Sequence, residues 1–379
     1  MTSLFFDTSI TGHHLEYIHH LYLGMVNRND VQFVFVIPES FEDAKNKYFW
    51  PKAENIHFDY LSKNEIERAA NKSFLHSAWN RSLLVREKVK KHNADSVFLI
   101  MLMAFMPFVL FMLPGKVKLS GIIYRIYLYE WRQMNFFKKA KDVIVFWLLS
   151  HSRHVKSAFI LNDSSATAYL NKLYKTKCFK FLNDPFNKIE YTPKNIRGEL
   201  GIKDAQKMFL HFGGLSRRKG TLAILDSISL LSAEECKKYV FVFAGKLYPD
   251  IKEEFYKRLS QINQKCTIII FDSFCSNETL YDLCYSCDAI LAPYSNTSQS
   301  SGVVVYSHFF DKIIIGPSDG LLGKIIRKYR LGVTMNDISP LSISNAILSI
   351  GLQRVKKTDI SILEMNPSAA FCEVILSQL

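Results

Sequence analysis

The sequence predicts an α/β chain built as two doubly wound, parallel-sheet domains in tandem. Three observations carry this. The chain has 379 residues, and at roughly 100–200 residues per domain that makes two domains. Hydrophobic residues are 48% and charged residues 22%, ordinary globular usage that excludes a disordered or low-complexity chain. Short apolar runs alternate with helix-length amphipathic stretches, the pattern of β-α-β units.

The elements of the first half follow in order. Ser3–Phe6 reads as a short strand, followed by the loop Asp7–Gly12. A helix begins at His13, with Leu15, Ile18, Leu21, Tyr22, Met25 and Val26 on one face at three-to-four spacing. Val31–Ile37 is almost continuously apolar and stops at Pro38, as a strand covered on both faces does. Ile56–Tyr60 is a third strand and Asn64–Asn93 a long helix, basic toward its end. Gly121–Tyr124, Ala158–Leu161 and Phe179–Leu182 are further strands, and Asn162-Asp163-Ser164 caps a helix starting near Ser165.

Asp184 to Pro193 holds two prolines among polar residues and reads as the linker. It divides the chain into a first domain, 1–186, a second, 187–355, and a C-terminal helical segment, 356–379, placed to pack back on the first. The second half reads as strands Met208–Phe212, Val240–Ala244, Thr267–Phe271, Ala289–Pro293 and Lys312–Gly316. Between and after them lie helices Thr221–Leu231, Ile251–Ile262, Glu278–Ser286, Val303–Phe310 and Leu321–Tyr329. Ser342–Leu352 and Ile360–Leu379 add two more.

Charge is the unusual feature. The net is +13, and it is uneven: residues 1–187 carry 25 basic and 16 acidic side chains, residues 188–379 carry 23 and 19. The first half is therefore +9 and suits an anionic partner, a phosphorylated ligand or an anionic membrane surface. No nucleic-acid module is recognisable, so no nucleic-acid partner is expected. Val97–Leu113 is a run of 17 apolar residues containing Pro107. Its length is at the lower limit for a span and Pro107 breaks the helical ladder, which leaves a buried strand and helix, or shallow membrane insertion, as the readings. The segment Met1–Asp7 lacks the basic and long apolar regions of a signal peptide. Seven scattered cysteines give no disulfide framework and suit a reducing compartment; Cys284 and Cys287 form a lone C-x-x-C read as core thiols.

The chemistry concentrates in Phe212-Gly213-Gly214-Leu215-Ser216-Arg217-Arg218-Lys219-Gly220, between a strand and a helix. Glycines let backbone approach a ligand closely, and Arg217, Arg218 and Lys219 beside a helix N-terminus suit a diphosphate. No G-x-x-x-x-G-K-[ST], G-x-S-x-G or H-E-x-x-H occurs. No carboxylate pair is suited to hold Mg²⁺ or Mn²⁺ beside a diphosphate, so no metal site is expected. His13 and His14 stand at the first loop–helix junction, where an acceptor hydroxyl could lie; His19 and His20 read as packing, and Glu16 as a weak base candidate.

This stretch resembles the donor loop of the retaining glycosyltransferases of family 4, G-R-L-x-x-x-K-G, whose fold is two Rossmann-like domains facing across a cleft (GT-B). Lys219 matches the lysine that contacts the donor diphosphate, whereas the family arginine falls on Gly214. The resemblance extends to Gly12-His13-His14, Leu182-Asn183-Asp184-Pro185, Phe243-Ala244-Gly245 and Asp288-Ala289-Ile290-Leu291-Ala292-Pro293. The usual pair of glutamates is missing: anchored on Gly302, those positions are Gln299, facing the transferred sugar in the family, and Ser307, at the ribose. Ser300-Ser301-Gly302 still opens a helix whose N–H groups suit a diphosphate.

The resemblance implies a metal-independent, retaining hexosyltransferase with no cofactor beyond its nucleoside-diphosphate-sugar donor. The donor sits in the second domain, at Gly213, Gly214, Arg217, Arg218, Lys219, Ser300, Ser301, Gly302 and Ser307. His13, His14 and Gln299 are the candidate catalytic residues. The expected acceptor is a saccharide or lipid-linked saccharide in bacterial surface polysaccharide assembly, with the protein cytoplasmic and peripheral on the inner face of the membrane. A GT-B sugar-nucleotide epimerase and a non-catalytic membrane-associated subunit are the alternatives.

Overall fold

The structure, a computed structural model, describes residues 1–10, 13–70, 73–131, 134–185, 190–262, 265–295, 297–298, 301–350 and 368–379. The chain forms two compact units. Unit 1 is Met1–Tyr127, Trp131–Asn187 and Met365–Leu379; unit 2 is Leu128–Glu130 and Lys188–Glu364.

Unit 1 is a seven-stranded parallel sheet of β1 (Thr2–Phe6), β2 (Gln32–Pro38), β3 (Ile56–Leu61), β4 (Ser96–Leu99), β5 (Lys118–Ile123), β6 (Val155–Leu161) and β7 (Phe179–Leu182), in the order β3-β2-β1-β4-β5-β6-β7. β1, β2 and β4 are buried along almost their whole length, on both faces, which is why β2 reads as a continuous apolar run. Register places Phe5 opposite Phe35 and Phe98, with ring centroids 5.4 and 5.2 Å away. Such pairs add about 0.5–1.5 kcal/mol each beyond the area they bury.

The helix Ser368–Leu376 belongs to this unit and lies against the helix His13–Met25. Cys372 Sγ donates to His20 O at 2.9 Å, and the Phe371 and Tyr17 rings stand 5.3 Å apart. Gly24 permits the approach: a Cβ there would stand 2.6 Å from Cys372 Cβ. Of the sequence-expected helix Ile360–Leu379, residues 360–367 lie outside the described residues.

Unit 2 is a six-stranded parallel sheet of β8 (Lys207–Phe212), β9 (Tyr239–Ala244), β10 (Thr267–Phe271), β11 (Ala289–Leu291), β12 (Ile313–Pro317) and β13 (Gly332–Met335), in the order β10-β9-β8-β11-β12-β13. Helices Thr221–Ser229, Pro249–Ile262 and Pro340–Ser349 bury Leu225, Phe255 and Ile347 in its core.

Several elements differ from the sequence reading. The expected helix Asn64–Asn93 is two helices, Lys63–Ala69 and Phe74–Lys91. Ser62 and Glu65 form a capping box that starts the first, and Ala70 turns extended and ends it. The run Val97–Leu113 is β4 followed by a 3₁₀ turn, Leu102–Phe105, and a single α turn, Val109–Met112. Most of it is core; no described helix is long and apolar enough to cross a membrane. The helix Phe136–His151 gave no signal because its apolar residues lie nearly all round it. Cys236 and Cys266 are disulfide-bonded, a pairing that the reading of scattered cysteines without a disulfide framework did not anticipate. They precede neighbouring strands β9 and β10, whose register brings the two chain segments side by side, a relation that sequence spacing does not reveal. Cys284 and Cys287 are buried thiols, and burial pushes Cys287 up to about 12.

Candidate functional site

In unit 2 the strand order reverses between β8 and β11, the position at which doubly wound sheets bind ligands beyond their carboxyl ends. The loops leaving these two strands are stitched together, since Ser295 N and Oγ both donate to Arg218 O, at 2.9 and 3.1 Å. Gly220 has φ +74°, and a Cβ there would stand 2.2 Å from Pro293 O. Gly245, after β9, has φ +140°, and its Cβ would stand 1.9 Å from Gly213 O. These approaches give the glycines of the Lys-Gly and Phe-Ala-Gly motifs a physical reason: backbone passes where a side chain would stand.

Lys219 folds back over this backbone. Its Nζ donates to Phe212 O at 3.3 Å and lies 5.5 Å from the Tyr294 ring centroid. A Cβ on Gly213 would stand 2.4 Å from Nζ. Among the described residues no carboxylate pairs with Lys219, so a cation is held at the sheet edge by a carbonyl and a ring alone. Arg218 is exposed and its side chain likewise has no partner among the described residues. Arg217 is committed elsewhere, donating to Glu254 Oε2 at 2.7 Å. Gly214 leaves room for the Tyr248 ring, 3.0 Å from where a Cβ would stand.

The remaining expected donor residues fall in different places. Ser301 Oγ donates to Tyr294 OH at 3.3 Å, and Gly302 precedes the helix Val303–Phe309, whose seven residues are short for a macrodipole. Ser307 lies inside that helix, buried, with its hydroxyl donating to Lys312 O at 2.5 Å. Its donor is spent in the core, so it is not available to a ribose. Gln299 and Ser300 lie outside the described residues.

Beneath the loop sits a residue that sequence reading missed. His211 on β8 is buried, with Nδ1 2.8 Å from Leu291 O and Nε2 3.0 Å from Thr221 Oγ1. A carbonyl only accepts, so Nδ1 carries the proton and Thr221 donates to Nε2. Burial lowers its pKa to about 4 against the hydrogen bond to Leu291, with the Lys219 charge also lowering it. His211 is therefore a neutral tie joining β8, β11 and the start of the helix Thr221–Ser229.

In unit 1 the order reverses between β1 and β4. Asp7 follows β1 and is buried; His14 Nδ1 donates to its Oδ2 at 2.5 Å and Ser9 N to its Oδ1 at 3.0 Å. Burial raises the Asp7 carboxyl, opposed by the hydrogen bond and charge of His14. Asp7 engages Nδ1 and orients the His14 ring, and Nε2 has no partner among the described residues. His13 starts the helix; its side chain lies outside the described residues. His19 is packed against Tyr48 and Trp50, and His20 is buried. Glu16 Oε1 is 3.8 Å from His20 Nε2. Asp184, in the Leu-Asn-Asp-Pro stretch, accepts a hydrogen bond from Tyr17. Among the described residues no three His, Cys, Asp or Glu side chains group as metal ligands.

Comparison with solved structures places this architecture. HepE from Anabaena, in complex with UDP and glucose, superposes with a TM-score of 0.69 at 13% identity over 100% of both chains. The α,α-trehalose-phosphate synthase (UDP-forming) from Burkholderia vietnamiensis gives 0.71 at 8% identity over 99% of this chain and 98% of that one. WaaG, a glycosyltransferase involved in lipopolysaccharide biosynthesis, gives 0.64 at 12% identity over 98% and 95%.

The fold is GT-B.

No protein-family model matches the sequence, and no curated protein matches it. Within the GT-B frame, residues near these strand ends that sequence reading did not single out are Asp7, His211 and Glu130. Asp7 was legible only as a loop residue seven positions before His14. Glu130 is sequence-distant yet belongs to unit 2, where Ser298 Oγ donates to its Oε1 at 2.9 Å.

Proposed function

We propose that the chain is a glycosyltransferase that moves a hexosyl group from a nucleoside-diphosphate sugar to a saccharide or lipid-linked acceptor, with retention and without a divalent metal. The observation that supports this most is Lys219, a cation fixed at the unit 2 switch point with no carboxylate partner among the described residues. A diphosphate would supply the missing counter-charge, with Arg218 beside it, the electrostatic role that a metal plays elsewhere. The HepE complexes with UDP and UDP-glucose support the same reading. On the unit 1 side, His14 takes the proton of the acceptor hydroxyl and Asp7 orients it.

The experiment is incubation with UDP-, GDP- and ADP-sugars in EDTA, with NMR of the anomeric proton of the product. Transfer or slow hydrolysis with the donor's configuration kept is expected. Activity that requires Mn²⁺, or inversion at the anomeric carbon, overturns the corresponding part. Epimerised nucleotide sugar, or binding without turnover, points instead to the epimerase or the non-catalytic subunit.

A role in surface polysaccharide assembly on the inner face of the cytoplasmic membrane belongs to the same reading. The apolar run Val97–Leu113 no longer supports it, being mostly core, but the helix Phe136–His151 does. Its inner face buries Val145, Phe146 and Leu149; its outer side exposes Phe136, Phe137, Ile144 and Trp147 by 76, 82, 55 and 51%. Lys138, Lys139 and Lys141 lie among them, and Lys141 Nζ stands 4.5 Å from the exposed Phe74 ring. Aromatics flanked by lysines suit an anionic lipid surface, where each lysine is worth about 1 kcal/mol, roughly fivefold. In co-sedimentation, anionic vesicles should bind the protein at low salt, and Phe137→Ser and Lys141→Gln should each weaken binding severalfold. Equal binding to neutral vesicles, or none to either, would sink the idea.

A further inference from the structure

Arg81 lies on the helix Phe74–Lys91, whose next residue, Ser82, donates to Phe105 O at 3.0 Å and so pins the helix to the turn following β4. The guanidinium is half-buried. Its Nε is fully shielded from solvent and has no hydrogen-bond partner, and among the described residues Arg81 makes no ion pair. Asp7 is the carboxylate whose charge acts on it, but both Asp7 oxygens are engaged, by His14 and by Ser9 N. Burial lowers the Arg81 pKa, and Asp7 only partly offsets this.

A buried donor left unmade costs about 1–3 kcal/mol, more for a charged group, and proteins retain such a cost where a ligand removes it. The nearby chemistry says which ligand. Unit 1 holds a histidine poised to accept a hydroxyl proton, the Asp7 that orients it, and a planar cation on which the Asp7 charge acts and whose shielded Nε–H is unused. A guanidinium matches an oxyanion with two oxygens better than any neutral sugar hydroxyl.

We infer that Arg81 is a specificity residue that binds an oxyanion, a phosphate or a carboxylate, carried by the acceptor whose hydroxyl meets His14. The inference rests on unit 1 being the acceptor side of a glycosyltransferase. It restricts the acceptor to an anionic saccharide: a sugar phosphate, a phosphate-linked glycan or a uronic acid.

The test uses the full chain carrying Lys219→Ala, so that the donor-side lysine cannot supply the signal. Binding of glucose 6-phosphate, glucuronate and glucose is followed by saturation-transfer NMR and calorimetry. One or both anionic sugars should bind about tenfold or more tightly than glucose, and the two arms separate phosphate from carboxylate. Adding Arg81→Gln should remove that preference, and Arg81→Lys should restore part of it. Thermal unfolding of Arg81→Gln without ligand should match the parent or exceed it, because the side chain forms no bond to lose. Anionic sugars binding no better than glucose, or a preference that survives Arg81→Gln, overturns the inference. A fall in melting temperature with the preference intact assigns Arg81 a structural role instead. UDP binding to the wild-type chain, measured separately, reports on the donor reading and leaves the two failures distinguishable.

Discussion

His14→Ala is expected to lower turnover of the nucleotide sugar by about 10²–10⁴-fold, the usual contribution of a positioned general base, while UDP binds as it does to wild type. The expectation follows from the proposed roles: the base belongs to unit 1 and the diphosphate site to unit 2, so loss of the base alone should leave nucleotide affinity unchanged. Asp7→Asn should reproduce part of the loss with His14 still in place. An amide can present its NH₂ to Nδ1, and the imidazole then turns its proton onto Nε2 and ceases to be a base. Both variants are read by initial rates beside calorimetric UDP titration. A His14→Ala enzyme that turns over within tenfold of wild type places the base elsewhere. One that also loses UDP has lost more than a proton acceptor.

The second large effect is on binding. Lys219→Ala should weaken nucleoside-diphosphate affinity by about 10- to 150-fold, the equivalent of a charge-assisted hydrogen bond of about 1.5–3 kcal/mol, and barely alter affinity for the free nucleoside. The geometry makes the variant clean. Lys219 is satisfied by one carbonyl at 3.3 Å and a ring at 5.5 Å, so its removal leaves no buried carboxylate exposed. Arg218→Ala should act on the same ligand and Arg217→Ala far less, because Arg217 is paired with Glu254. Calorimetry with UDP and uridine decides it. Undiminished UDP binding by Lys219→Ala puts the donor site in the wrong loop.

Much of this architecture was legible because parallel strands covered on both faces leave uninterrupted apolar runs such as Val31–Ile37 and Val240–Ala244. The glycines of this loop region were legible because close backbone approach can be made only by glycine, and Gly220 and Gly245 mark two such places. Other features were hidden for physical reasons. Phe136–His151 is apolar on both its buried and exposed sides, so no period appears. The Asp7–His14 pair spans a loop, and Arg81, on which the Asp7 charge acts, lies on a different helix, a relation that only tertiary placement creates. Ser307 is a polar residue whose hydroxyl serves the core, which no spacing rule distinguishes from one that serves a ligand.

The place of the helix Ser368–Leu376 has a consequence for synthesis. Unit 1 is discontinuous: its first 127 residues leave the ribosome early, yet Phe371, Cys372 and Ile375, which complete its core beside His13–Met25, follow about 180 residues after Asn187. At roughly 5–20 residues per second this is a wait of about 10–40 s. Throughout that interval the sheet is formed but one helical face is bare, while unit 2 is being made and can close on itself. The first half of the nascent protein therefore starts folding first and is finished last. That departs from the order its numbering suggests, and it leaves unit 1 the part most exposed to chaperones and proteases.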